Sequence, residues 1–278
     1  MQPPLQFIDE TFDINSCNNY ILSIQCSLDG FSFSVFDPRI EKFILLSSYY
    51  LICATPFQLR NEINSIVGNS PVLSQNFKKT NISYITPKTL VAPISLLTKN
   101  EEELLKSSFP KERDEMAVKR SFQPDKVHLS LIPGIIYHFF SEKFNTPLFV
   151  PPANNLILHG ENANTDTQLV SLFKHTHTLF IAIFNHHKLV VFNSYYTKDE
   201  NDELFYLLNI AKELNLPNHT SILLYGDFYE NGAFSQLVKP YFKKVAFAHY
   251  SHNYSVSYTF YKKPAHIYLP LLELALCE

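Results

Sequence analysis

The stretch 20–37, YILSIQCSLDGFSFSVFD, alternates with a period of two. Tyr20, Leu22, Ile24 and Cys26 fall on one side; Ser23, Gln25 and Ser27 fall on the other. Phe31, Phe33 and Val35 then alternate with Ser32 and Ser34. Successive side chains of a strand point to opposite faces, so this pattern predicts two strands, each with one buried face. Asp29-Gly30 tolerates positive φ, as a tight hairpin turn requires. A turn at Asp37-Pro38-Arg39 leads into a third predicted strand over 42–50. A meander with an apolar face needs a covering layer, and the rest of the chain must supply it.

Pro56 suits the first turn of a helix over 57–67. Short β-prone runs follow at 81–86 and 89–94, then a helix over 99–107 and an exposed charged loop or helix over 110–126. GIIYHFF (134–140) reads as a buried strand, with Ser141 capping a short helix ended by Pro151-Pro152. Residues 155–159 read as another strand and 165–174 as a helix. Two apolar strands, 178–184 and 188–193, flank Asn185-His186-His187. Thr197 and Glu200 have capping-box spacing, and Leu204, Leu207, Leu208, Ala211 and Leu214 then share a helical face until Pro217. A strand over 221–225, a turn at Gly226-Asp227 and a helix from Asn231 or Gly232 to about Tyr241 follow. Strands over 245–249 and 255–261 and a helix from Pro270 complete the pattern.

Strands alternating with helices predict an α/β protein whose mixed sheets are covered on both faces. Residues 178–193 form the expected twin of the opening hairpin. The two halves share their order of elements and almost no residue identity, so the repeat is one of pattern. The expected division is a first lobe over 1–175, with a divergent insert at about 51–126, and a second lobe over 176–278.

Composition narrows the function classes. Apolar residues make up 46% of 278, with 24 Phe and 16 Tyr, enough for a substantial core in each lobe. Lys and Arg number 23 against 26 Asp and Glu, and KERDEMAVKR mixes both signs, so no basic face for nucleic acid is expected. No stretch approaches a membrane span, and the N-terminus lacks the basic-then-apolar order of a secretory signal. Cys17, Cys26, Cys53 and Cys277 contain no C-x-x-C pair and read as reduced, buried thiols, with the cytoplasm as the expected compartment. The six glycines lie at least six residues apart. Backbone can wrap a phosphate closely only where side chains are absent, and no P-loop or G-x-G-x-x-G occurs.

The arrangement resembles the actin-like ATPase superfold (ribonuclease H-like and duplicated) shared by actin, sugar kinases and heat-shock chaperones. GIIYHFFSEKF is similar to the strand and helix late in that family's first lobe. NLILHGENANTDTQLVSLF is similar to the lead into the second lobe. SILLYGDFYENGAFSQLVKPYF is similar to the segment that holds adenosine. More narrowly, NSYYTKDENDELFYLLNIAKEL followed by LLYGD resembles an uncharacterised actin-like family of Bacteroidetes, a domain of unknown function. The resemblance implies ATP with Mg between two lobes. It places a vestigial cleft at Ser27, Asp29, Gly30, Gly226 and Asp227. An active member carries Asp then Gly at the end of its first strand, where this chain has Gln25 and Ser27; Asp29-Gly30 come later, in the turn. No glycine occurs between Gly160 and Gly226, where the second phosphate loop belongs.

Other chemistry is weaker. His175, His177, His186 and His187 suggest a metal, but a strand between the pairs would hold them roughly 30 Å apart. G-x-S-x-G is absent, and Glu101, Glu102 and Glu103 fall where a helix dipole favours acids. The aromatic run from Tyr241 to Tyr268 builds a core or, with Tyr exposed on one sheet face, binds a protein partner. The expectation is a non-catalytic, actin-like binding or scaffold protein with no catalytic residues and no cofactor. The alternative is a nucleotide binder with little or no hydrolysis.

Overall fold

A computed structural model describes residues 4–96, 108–109, 114–123, 125–162 and 168–277. The chain opens with β1 (Leu5–Ile8) and the meander β2 (Ile21–Ser27), β3 (Gly30–Asp37) and β4 (Lys42–Tyr50). Helix α1 (Pro56–Asn69) starts at Thr55, whose hydroxyl accepts the Gln58 amide, and leads to β5 (Lys79–Tyr84). Strands β6 (Thr89–Pro93), β7 (Glu115–Gln123) and β8 (Lys126–Pro133) form a separate antiparallel sheet in the order β6-β8-β7. Helix α2 (Gly134–Lys143), β9 (Leu148–Phe149) and helix α3 (Asn154–Asn162) follow.

A second meander is β10 (Leu169–His175), β11 (Thr178–Asn185) and β12 (Lys188–Tyr196). After it come helix α4 (Glu200–Glu213), β13 (Ser221–Gly226), helix α5 (Ala233–Val238), β14 (Lys244–Phe247), β15 (Ser255–Val256) and helix α6 (Ala265–Leu272). In the first sheet β4-β3-β2 is antiparallel, and β5 and β9 are added parallel to β2. In the second, β12-β11-β10 is antiparallel, and β13 and β14 are added parallel to β10. The five strands of the second match β4-β3-β2-β5-β9 of the first, which also carries β1 antiparallel and β15 parallel to β4.

Helices cover these sheets because each sheet buries apolar residues on both faces. Leu59 and Ile63 of α1 and Ile136 and Phe140 of α2 pack on Leu22 and Ile24 of β2. Leu207 and Ile210 of α4 and Phe234 of α5 pack on Val170 and Leu172 of β10. Between the inner faces lie α3 and α6, where Leu156 and Leu269 meet Phe43 and Phe173. Each large apolar side chain so enclosed contributes about 2 kcal/mol.

Several sequence expectations change. The opening hairpin has β2 and β3 as expected, but Ser23, Gln25 and Ser27 are buried too, against the central layer. Gly30 is the first residue of β3 and keeps a negative φ, so the turn does not use its freedom. Its twin is β10–β11, not β11–β12, because the segment expected to be a helix over 165–174 contains strand β10. The second meander therefore has three strands, like the first. Residues 134–140 form helix α2 and 155–159 lie in helix α3 rather than in strands. Continuously apolar runs carry no period, and both are buried all along one side. The charged region ending near 126 includes strand β7. The expected helix over 99–107 lies outside the described residues. Asp199, not Thr197, caps α4, accepting the Asn201 and Asp202 amides. Pro270 lies inside α6 instead of starting it, and residues 258–262 form a 3-10 turn where a strand was expected.

Candidate functional site

Two hairpin tips meet at one end of the central layer. The register pairs Ser27 with Gly30 and His175 with Thr178, so Leu28-Asp29 and Thr176-His177 are the two turns. Ser27 Oγ lies 3.2 Å from His175 Nε2, which joins the last residue of β2 to the last residue of β10. Beyond β13, Asp227 turns its carboxylate back onto the second tip. Its Oδ2 accepts the Thr176 amide at 2.7 Å and sits 3.8 Å from His175 Nδ1. Gly226 makes that turn possible: its φ is +79°, and any Cβ there would overlap the Lys174 carbonyl oxygen.

These tips floor an open cleft of about 500 Å³. The register sets Ser48, Ser32 and Gln25 side by side on β4, β3 and β2, and all three face the cleft. Tyr49, Tyr50, Tyr229 and Tyr268 line its walls, with Lys263 also lining it. One wall is α6. His266 Nε2 lies 2.7 Å from the Phe228 carbonyl and fixes α6 to the loop after β13. Burial lowers the His266 pKa, which favours the neutral ring that donates to that carbonyl.

Of the expected residues, Asp29, Gly30 and Asp227 line this cleft directly. Ser27 lies beneath it through His175, and Gly226 shapes the loop that carries Asp227. Gln25, Thr176, Tyr268 and Lys263 were not among the expected site residues. The start of α6 was misplaced, which hid Lys263 and Tyr268. The histidine pairs separate as the strand reading implies: His175 and His177 flank one end of β11, and His186-His187 form the turn at the other. Both turn histidines have φ near +50° to +65°, a two-residue hairpin conformation. The aromatic run near the C-terminus does not share one sheet face. Phe242, Tyr254 and Phe260 are buried, whereas Tyr241, Tyr258 and Tyr261 are exposed from turns.

A second polar cluster lies deeper. His159 of α3 places Nε2 2.8 Å from Glu273 Oε1 and Nδ1 3.1 Å from the Tyr225 hydroxyl. Tyr254 also donates to Glu273 at 3.0 Å. Burial opposes the charged imidazolium, but the hydrogen bond and charge of Glu273 outweigh it and raise the His159 pKa. The cluster ties α3, from the first half, to the end of α6. All four cysteines are buried and none is in a disulfide. Among the described residues no helix is long and apolar enough to cross a membrane.

Two helix-covered mixed sheets of matching order, with paired hairpin tips at a common cleft, define an actin-like ATPase fold. The chain belongs to the family described as protein of unknown function (DUF3822), whose model matches residues 9–245. It is similar to a Bacteroides thetaiotaomicron protein with actin-like ATPase fold and unknown function, at 20% identity and TM-score 0.80, over 96% of this chain and 100% of that one. A PilM–PilN type IV pilus biogenesis complex is similar at 9% identity and TM-score 0.61, over 92% of this chain and 97% of that one. No curated protein sequence matches it.

Proposed function

We propose that the chain is a non-catalytic binding module that uses the inter-lobe cleft for a ligand other than Mg-ATP. The carrying observation is the state of the hairpin amides. A phosphate at hairpin tips is held by free backbone N–H groups, because those donors point at the anion and carry no opposing charge. Here the Thr176 amide donates to the Asp227 carboxylate, and the Asp29 amide donates to Ser27 Oγ at 3.1 Å. One amide is thus held by a carboxylate and the other by a hydroxyl, and the Asp29 carboxylate lines the same cleft. Gln25, a neutral amide, occupies the strand position where the ATPases carry a carboxylate. The residues present do not fit a Mg-triphosphate.

The binding reading also draws on the fold neighbour that is part of a PilM–PilN complex. Tyr258 and Tyr261, 65% and 69% exposed, are the most exposed of the C-terminal aromatics open to a protein partner among the described residues. Steady-state assay with Mg-ATP, and calorimetric titration with ATP, ADP and GTP, test the reading. No turnover and no saturable heat are expected. Hydrolysis that is lost in Asp29→Ala would overturn it.

A further inference from the structure

Resting on that reading, we infer that the cleft takes an organic cation, a ligand bearing an ammonium or guanidinium group on a carbon framework. Two carboxylates and one ammonium line the cleft, beside Ser and Tyr hydroxyls that accept as well as donate. The Asp29 carboxylate has no hydrogen-bond or ion-pair partner among the described residues, and Asp227 supplies a second carboxylate that keeps one oxygen outside its bond to Thr176. On the floor, Gln25 is only 9% exposed, yet nothing among the described residues hydrogen-bonds to its amide. Its amide opens on the cleft, so its carbonyl oxygen can accept from a ligand ammonium or guanidinium.

The backbone amides of the two tips, which would favour an anion, are already used by Asp227 and Ser27. Lys263 adds one ammonium, but it is exposed, against two carboxylates. Tyr49, Tyr50, Tyr229 and Tyr268 present ring surfaces on which a cation is attracted by the π quadrupole. Among the described residues no three His, Cys, Asp or Glu converge closely enough to hold a metal ion. An extended cation, with its charge and carbon framework spread across separated carboxylates and rings, fits this spacing better than a bare ion. A cleft of about 500 Å³ is within the range of small-molecule sites.

The cation could be a free amine or a basic side chain of a polypeptide, and the experiment separates the two. The full chain is titrated calorimetrically with agmatine, with spermidine and with the peptide Gly-Gly-Arg-Gly-Gly; glucose and Mg-ATP serve as neutral and anionic comparisons. Saturable binding of at least one cationic probe is expected. It should weaken on the order of tenfold in Asp29→Asn and in Asp227→Asn, and with added salt. Asp29→Asn removes a carboxylate with no partner among the described residues, and Asp227→Asn keeps an oxygen for the Thr176 amide, so thermal melts should show both variants folded. Tighter binding of the peptide than of agmatine assigns the polypeptide source, and the reverse order a free amine. Absence of heat with all three cations, or equal binding in wild type and both variants, overturns the inference. Glucose binding alone would overturn it while leaving the binding-module reading intact; Mg-ATP turnover would remove both.

Discussion

The hairpins β2–β3 and β10–β11 occupy equivalent places in their sheets and end in equivalent two-residue turns, but their inner faces differ. Counting back from Ser27 and His175, which touch each other, Gln25 of the first corresponds to Phe173 of the second. Gln25 faces the cleft, whereas Phe173 stacks on Phe180 with ring centroids 5.5 Å apart, inside the central core. At this position the first hairpin sets a polar amide at the cleft and the second an aromatic ring in the core. One topology accommodates both because each hairpin's outer face is covered by its own pair of helices. The pseudo-symmetry is one of backbone, and the cleft is asymmetric.

The sharpest way to break this comparison is at the turn that closes only the second half. Gly226→Ala places a side chain at φ +79°, overlapping the Lys174 carbonyl oxygen and 2.8 Å from the Phe173 ring. Left-handed backbone alone costs a non-glycine residue about 1–2 kcal/mol, and the collision with backbone adds to it. Destabilisation of about 4 kcal/mol is expected in urea unfolding. A loss below about 1 kcal/mol would show that the loop carrying Asp227 is not held as described.

The next effect concerns what joins the halves. Glu273→Ala strips the partner from His159 and Tyr254 and should cost about 3 kcal/mol, at the lower end for a buried pair because the His159 side chain keeps 30% of its exposure. The pH dependence has a definite sign. Because the folded pKa of His159 is raised above its ordinary 6.5, its contribution is fully present below about pH 6.5 and is lost as pH rises through the folded value. The stability gap between wild type and His159→Gln should be wide at pH 5.5 and narrow at pH 8.5 in thermal melts. A gap that widens with pH would refute the assignment of the charge to this pair.

The two hairpins also explain what was legible in the sequence. The first was readable because Ser23, Gln25 and Ser27 alternate with Leu22, Ile24 and Cys26. Those polar residues signalled the strand correctly but not its surroundings, since they face a buried layer and a cleft rather than open solvent. The second, LVSLFKH, buries Leu172 against the outer helices and Phe173 against the inner core, so it lost its period and read as a helix. The same loss of period turned helix α2 into an expected strand. Asp29 and Asp227 were legible as turn residues, and both line the cleft. The tyrosine walls were not, because Tyr49, Tyr229 and Tyr268 come together only through strand order and the docking of α6.

The contact between the tips sets a smaller energy. Ser27→Ala and His175→Ala, singly and together, should give a coupling of about 1 kcal/mol, the usual net worth of a hydrogen bond. Additive losses would mean that the halves approach each other without this bond and that the equivalence of Ser27 and His175 is topological only.

The smallest effect sharpens the comparison most, because it repeats the first substitution at the first hairpin. Gly30 has no positive φ, and a Cβ there would meet the Tyr49 carbonyl oxygen at 3.3 Å, a contact that a shift of a few tenths of an ångström relieves. Removing a glycine also lowers the entropy of the unfolded chain, which favours the folded state by about 0.4–1 kcal/mol where the backbone is compatible. These terms oppose each other, so Gly30→Ala should stay within about 0.5 kcal/mol of wild type in urea unfolding. A loss near that of Gly226→Ala would show that the Asp29-Gly30 turn does rely on left-handed backbone, and that the first hairpin is closed by glycine chemistry after all.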